Sequence, residues 1–144
     1  MASSSQSKVC FFFKTNVWLR HRAKLKKFIE AIFRKQGKRL KYLNYIFCTD
    51  AQILAINKQY LKHDYYTDIM TFELSQKEMP IEGEVYISID RVKDNAILLD
   101  ETFYLELHRV IFHGTLHLCG YRDKSKKEIK EMREMEAKCL KEYF

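Results

Sequence analysis

Four glycines and one proline in 144 residues leave this chain with too little punctuation for a many-stranded, tightly turned all-β fold. The four cysteines, Cys10, Cys48, Cys119 and Cys139, form no C-x-x-C pair, which excludes a zinc ribbon and gives no sign of a disulfide framework. No apolar run reaches membrane-spanning length, and the polar, Ser-rich residues 1–8 lack the apolar stretch of a secretory signal. These absences point to a cytoplasmic protein with no membrane partner, in which the cysteines serve as small apolar groups.

What is present suffices for one core. The composition is 47% hydrophobic, and the length fits one domain over 9–144 after a disordered 1–8. The balance of 26 Lys and Arg against 19 Asp and Glu gives +7 and favours polyanions as partners. Much of the excess lies between Arg20 and Lys41, where ten cations accompany only Glu30. Such a run fits either a solvated helix face or a polyanion-facing patch.

The chain alternates strand and helix signals. Val9 to Lys14 reads as a buried strand, and Asn16 can cap a helix that carries Trp18, Leu25, Phe28, Ile29, Ile32 and Phe33 inward and ends at Gly37. Leu40 to Cys48 is a second strand, and Thr49-Asp-Ala-Gln52 is a capping box for a helix to about Tyr60. Thr67 to Leu74 and Glu84 to Ile89 alternate as strands around a loop with Pro80 and Gly83. Helices follow from Asp90 to Leu98, from Glu101 to Leu118, and after a second capping box, Ser125-Lys-Lys-Glu128, to the end. The order implies an α+β fold, an α/β/α sandwich with a small mixed four-stranded sheet and about five helices.

One stretch carries chemistry: His113-Gly-Thr-Leu-His117-Leu-Cys-Gly120-Tyr-Arg-Asp123. Residues four apart on a helix share a face, with Cβ atoms roughly 5–6 Å apart, so two imidazoles can grip one ion. Gly120 can end the helix and let the chain return Asp123 to the same ion. Three ligands with an open position suit catalysis rather than a closed structural site. The pair alone also fits ordinary solvated histidines. The spacing matches the long metzincin pattern, but the position of its general-base Glu is Gly114, which argues against a peptidase. Two His and one carboxylate are also the ligand types of non-haem iron oxygenases. Hydrolysis by an activated water, or polarisation of a carbonyl or phosphoryl oxygen, remains, and no general base can be named. Glu106 and Arg109 lie on roughly the same helix face as His113, either as a surface salt bridge or lining a cleft.

The same block resembles the signature of the bacterial YbeY family, rRNA maturation factors described as metal-dependent endoribonucleases. Asn57, Tyr60, Asp64, Thr67, Asp68 and Phe72 resemble a second family block, N-x-x-Y-R-x-K-D-x-P-T-D-V-L-S-F, and Gly83-Glu-Val-Tyr-Ile-Ser88 resembles its G-D-I-x-I-S strand. The resemblance spans residues 9–140. It implies an α/β/α fold and one zinc ion on His113, His117 and Asp123. It further implies single-strand-specific cleavage in 16S rRNA 3′-end processing and ribosome quality control, with ribosomal RNA and the small subunit as partners of a monomer. Thr67, Asp68, Lys62 and Arg109 are candidates for the cleft. Two positions depart from the family: the third ligand is Asp123 where His is usual, and Leu61 stands at the usual Arg. Competing readings are a ribosome-associated RNA-binding factor with a structural metal, and a metallohydrolase of a small substrate.

Overall fold

The computed structural model describes residues 7–61 and 67–144. Strand β1 (Val9–Phe13) leads through helix α1 (Arg22–Lys35) to β2 (Leu40–Cys48). Helix α2 (Asp50–Ile56) continues into a π-helical turn at Asn57–Leu61. Strands β3 (Ile69–Glu73) and β4 (Ile81–Ser88) precede α3 (Ile89–Leu98), α4 (Phe103–Leu118) and α5 (Lys126–Tyr143).

The sheet order is β1-β2-β4-β3, with the first three strands parallel and β3 antiparallel on the edge beside β4. Alternation along the strands divides the side chains between two layers. Leu43, Tyr45 and Phe47 of β2, with Val85 and Ile87 of β4, enter the main core under α1, α4 and α5. On the other face Cys48, Met70 and Tyr86 pack against Ile53 of α2. Helices therefore cover both faces, as the α+β, α/β/α expectation requires.

Both capping boxes form, with the Thr49 hydroxyl accepting from the Gln52 amide and the Ser125 hydroxyl from the Glu128 amide. Gly37 takes a φ of 70° just past α1. The four cysteines carry no disulfide, and burial pushes the Cys119 thiol up to about 12.

Local differences from the sequence expectation have physical causes. Helix α1 begins at Arg22, not near Asn16, because residues 17–20 alternate inward and outward as extended chain: Leu19 is buried while Trp18 is 79% exposed. Gly83 is not in a loop but inside β4, where a Cβ would lie 2.8 Å from Leu118 Cδ1. A glycine there marks close approach of helix to sheet. Ser7 and Lys8, at the end of the segment expected to be disordered, are tied down: the Ser7 hydroxyl bonds Glu30 and the Lys8 carbonyl accepts from Leu43 N–H.

Candidate metal centre

Helix α4 is pressed onto the sheet along its centre. Gly114 is the contact point, since a Cβ there would stand 2.9 Å from Val85 Cγ1 and 3.2 Å from Ile69 Cδ1. The buried Tyr45 hydroxyl donates to the Ile111 carbonyl at 2.8 Å and pairs with the Thr115 hydroxyl. This fixes the rotation of α4, so that Arg109, His113 and His117 point along the β3 edge.

There they line a cavity of about 350 Å³ with Thr67, Asp68 and Asp123. Sequence reasoning had placed each of these six in or near the site. Lys62, with the neighbouring His63, lies outside the described residues. Arg133 of α5 also lines the cavity.

The residue that sequence reasoning passed over is Glu136. Its carboxylate Oε2 is 2.6 Å from His113 Nδ1, and its Oε1 accepts from Arg109 at 2.9 Å. It is 1% exposed. Burial alone would push its carboxyl up, but the His113 hydrogen bond and the Arg109 charge outweigh that and hold it below its ordinary value. A signal existed in the sequence: Glu136 sits in the otherwise apolar stripe Met132, Met135, Cys139 and Tyr143, where an unpaired charge would be costly.

The Glu106–Arg109 pair is not the surface salt bridge considered above. Arg109 donates to both Glu106 oxygens, at 2.8 and 2.6 Å, and Glu106 is 2% exposed. Burial opposes the guanidinium charge, but the two carboxylates overcome it and raise its pKa. With three of its five N–H donors on Glu106 and Glu136, Arg109 braces the site from within. Arg133 reaches Glu136 from the outer side at 3.4 Å.

An ionised Glu136 can only accept, so His113 Nδ1 must carry the proton it shares with it. His113 Nε2 then points the other way, to 3.3 Å from Asp123 Oδ2. Two acceptors facing each other at that distance are favourable only with a proton or a cation between them. The distance is also close to the edge, about 3.3 Å, of a tetrahedron whose metal bonds are about 2.0–2.1 Å. Among the described residues no three His, Cys, Asp or Glu side chains stand tightly enough together to hold an ion as placed. His117, one turn on, is the donor that would complete the set. Burial, opposed by Asp123, lowers its pKa and so favours the neutral imidazole that a metal needs. The donor set fits a divalent ion such as zinc, and the carboxylate bonded to the far nitrogen of His113 is the support metal-binding histidines commonly have.

Asp68 lines the same cavity. Its backbone carbonyl accepts from Ser88 N–H at 2.9 Å, and its carboxylate accepts from Asn95 Nδ2 at 3.3 Å. Burial raises its pKa, partly offset by Arg109 and His113.

The basic run does not line this cavity. Helix α1 packs near β1, at the opposite edge of the sheet from β3. Arg22 lies over the Phe13 ring and Lys24 over Tyr143. A groove of about 440 Å³, sharing His117, Thr71 and Asp123 with the cavity, instead carries Arg122 and Lys124. No described helix is long and apolar enough to cross a membrane.

The family model for endoribonuclease YbeY matches residues 13–144. A protein named endoribonuclease YbeY from Cytophaga hutchinsonii is 51% identical over 128 residues, covering 88% of this chain and 90% of that protein. One of the same name from Porphyromonas gingivalis is 46% identical over 114 residues, covering 79% and 75%. The solution structure of a Thermotoga maritima protein, TM1509, is similar with a TM-score of 0.66 and 29% identity, covering 94% of this chain and 88% of that one.

Proposed function

The chain belongs to the YbeY endoribonuclease family, and from that premise we propose that it is a metal-dependent, single-strand-specific endoribonuclease. Its proposed substrate is the 3′ end of 16S rRNA precursors, with a part in ribosome quality control, on the small ribosomal subunit in the cytoplasm. The observation that carries the metal-dependent reading is the His113 ring, clamped by Glu136 on one nitrogen and facing Asp123 with the other.

His113, His117 and Asp123 would hold one zinc ion, which when bound supplies Lewis-acid activation of water and of a phosphoryl oxygen. Glu136 fixes the His113 tautomer, and Arg109 keeps Glu136 ionised while Glu106 keeps Arg109 in place. Asp68 takes up the proton of the attacking water: it lines the same cavity, and its raised pKa makes it a better proton acceptor than a solvated carboxylate. Arg122 and Lys124 draw the phosphate backbone along the adjoining groove.

The test uses purified wild type, His117→Ala and Asp68→Asn, with bound metal and cleavage of an rRNA precursor measured on each. The expected result is loss of metal and cleavage in the first variant, and loss of cleavage with metal retained in the second. Cleavage that survives in a folded, metal-free His117→Ala protein would overturn the proposal. Metal loss with RNA binding intact and no wild-type cleavage would favour an RNA-binding factor with a structural metal.

A further inference from the structure

A second concavity, of about 530 Å³, lies between the extended segment after β1 and the N-terminal ends of α3 and α4. Its apolar walls are Val17, Trp18, Ile89, Phe103 and Tyr104, and among the described residues its lining carries two cations, Arg20 and Lys93, and no carboxylate. Trp18 is 79% exposed, although a large aromatic ring left in water forgoes much of the stabilisation that burial would give. The platform beneath it is rigid: Arg20 N–H donates to the Tyr104 hydroxyl at 2.9 Å, which donates back to the Arg20 carbonyl at 3.2 Å. The Arg20 guanidinium lies 5.5 Å from the Tyr104 ring centroid.

Resting on the endoribonuclease reading above, we propose that Trp18 and this concavity form a second RNA-binding platform, on which a base of single-stranded RNA stacks while Arg20 and Lys93 hold its phosphates. Aromatic faces beside cations bind single strands without sequence preference, since every base has a π-face. Charge favours a polyanion here, because the concavity opens where the basic run begins at Arg20. Tyr104 and His113 share one helix nine residues apart, an axial distance of about 13 Å, and the intervening two and a half turns set them on opposite faces of it. The platform is therefore a contact separate from the cavity of His113, and it draws on Arg20, the first cation of the basic run.

Trp18 is the chain's sole tryptophan, so its emission reports on this place alone. Full-length protein is titrated with an uncleavable 2′-O-methyl oligoadenylate of twelve residues, following tryptophan emission and, separately, anisotropy of an end label. Saturable quenching is expected, with Trp18→Ala and Lys93→Glu each weakening binding at least about fivefold, the factor equivalent to ~1 kcal/mol. Their circular dichroism should match wild type, since Trp18 is exposed. Binding by anisotropy without quenching, and with equal affinity for Trp18→Ala, would overturn the platform and leave the endoribonuclease reading standing. No binding to wild type by either signal would overturn both. Quenching by an acidic, tyrosine-containing peptide but not by the oligonucleotide would also overturn the proposal, assigning the concavity to a protein partner.

Discussion

The His113 imidazole is held by the Glu136 carboxylate across 2.6 Å, from a residue one helix away and 23 positions later in the chain. That hydrogen bond turns a surface histidine into an oriented donor. Glu136→Gln is expected to keep the fold and lower zinc affinity about 10- to 100-fold, read by competition with a chromophoric chelator. Glu136→Ala should also cost about 1–3 kcal/mol in stability, because Arg109 then loses one of two buried partners. Unchanged zinc affinity in both variants would separate Glu136 from the site.

With an ion bound as proposed, Asp123 would leave the site less positive by one unit than an all-imidazole site. In Asp123→His the alkaline-rising limb of the pH–activity profile should move to lower pH, with metal content measured in parallel. If metal is retained and the limb does not move, net site charge is not what sets it.

Gly114 is where α4 meets the sheet. Gly114→Ala gains about 1 kcal/mol of helix propensity. It also drives a Cβ to 2.9 Å from a Val85 methyl carried on a short, branched side chain, and overpacking of this kind costs about 1–3 kcal/mol. The net expectation is a lower melting temperature, together with weaker metal binding as α4 shifts on β3. A melting temperature above wild type would show that the interface yields freely.

His108 provides a pH test away from the site. It is fully buried, its Nδ1 bonds the Tyr104 carbonyl at 2.8 Å, and its Nε2 has no hydrogen-bond partner among the described residues. Burial lowers its pKa against the opposing Tyr104 bond. The unfolded chain therefore binds this proton more readily than the folded one, so the stability contribution is full above the unfolded value of about 6.5 and falls as pH drops below it. His108→Phe, in a cluster with Phe112 and Tyr143, should lose less melting temperature between pH 7 and pH 5 than wild type does. Equal losses would exclude His108 as the cause.

Arg122 and Lys124 test where phosphates run. Reversing both charges should reduce the slope of log affinity against log salt by about 1.4, roughly 0.7 for each single-strand phosphate that is no longer neutralised. If instead the slope falls only when Lys27, Arg34 and Lys38 of the basic run are reversed, the strand runs over α1 and not along this groove.

Much of this was legible in the chain itself. The element order, both capping boxes and the end of α1 at Gly37 follow from local rules, because caps and turns are satisfied within a few residues. The pairing of His113 with His117 follows from helical periodicity alone. Where local signals failed, extended chain imitated a helix: Trp18 and Leu25 stand seven apart, yet residues 17–20 alternate as a strand does. Gly83 read as a loop until Leu118 was placed above it.

The sequence by itself determined which residues could bind a metal and on which helix face they lie, since backbone geometry links residues four apart without reference to the rest of the molecule. Only the tertiary structure decided that Glu136 orients His113, that Glu106 and Arg109 are buried support rather than surface charge, and that the part of the basic run on α1 lies near β1, at the edge of the sheet away from β3. Those relations join residues from separate elements, and the distance between such residues is set by how helices pack on a sheet, which no local spacing encodes.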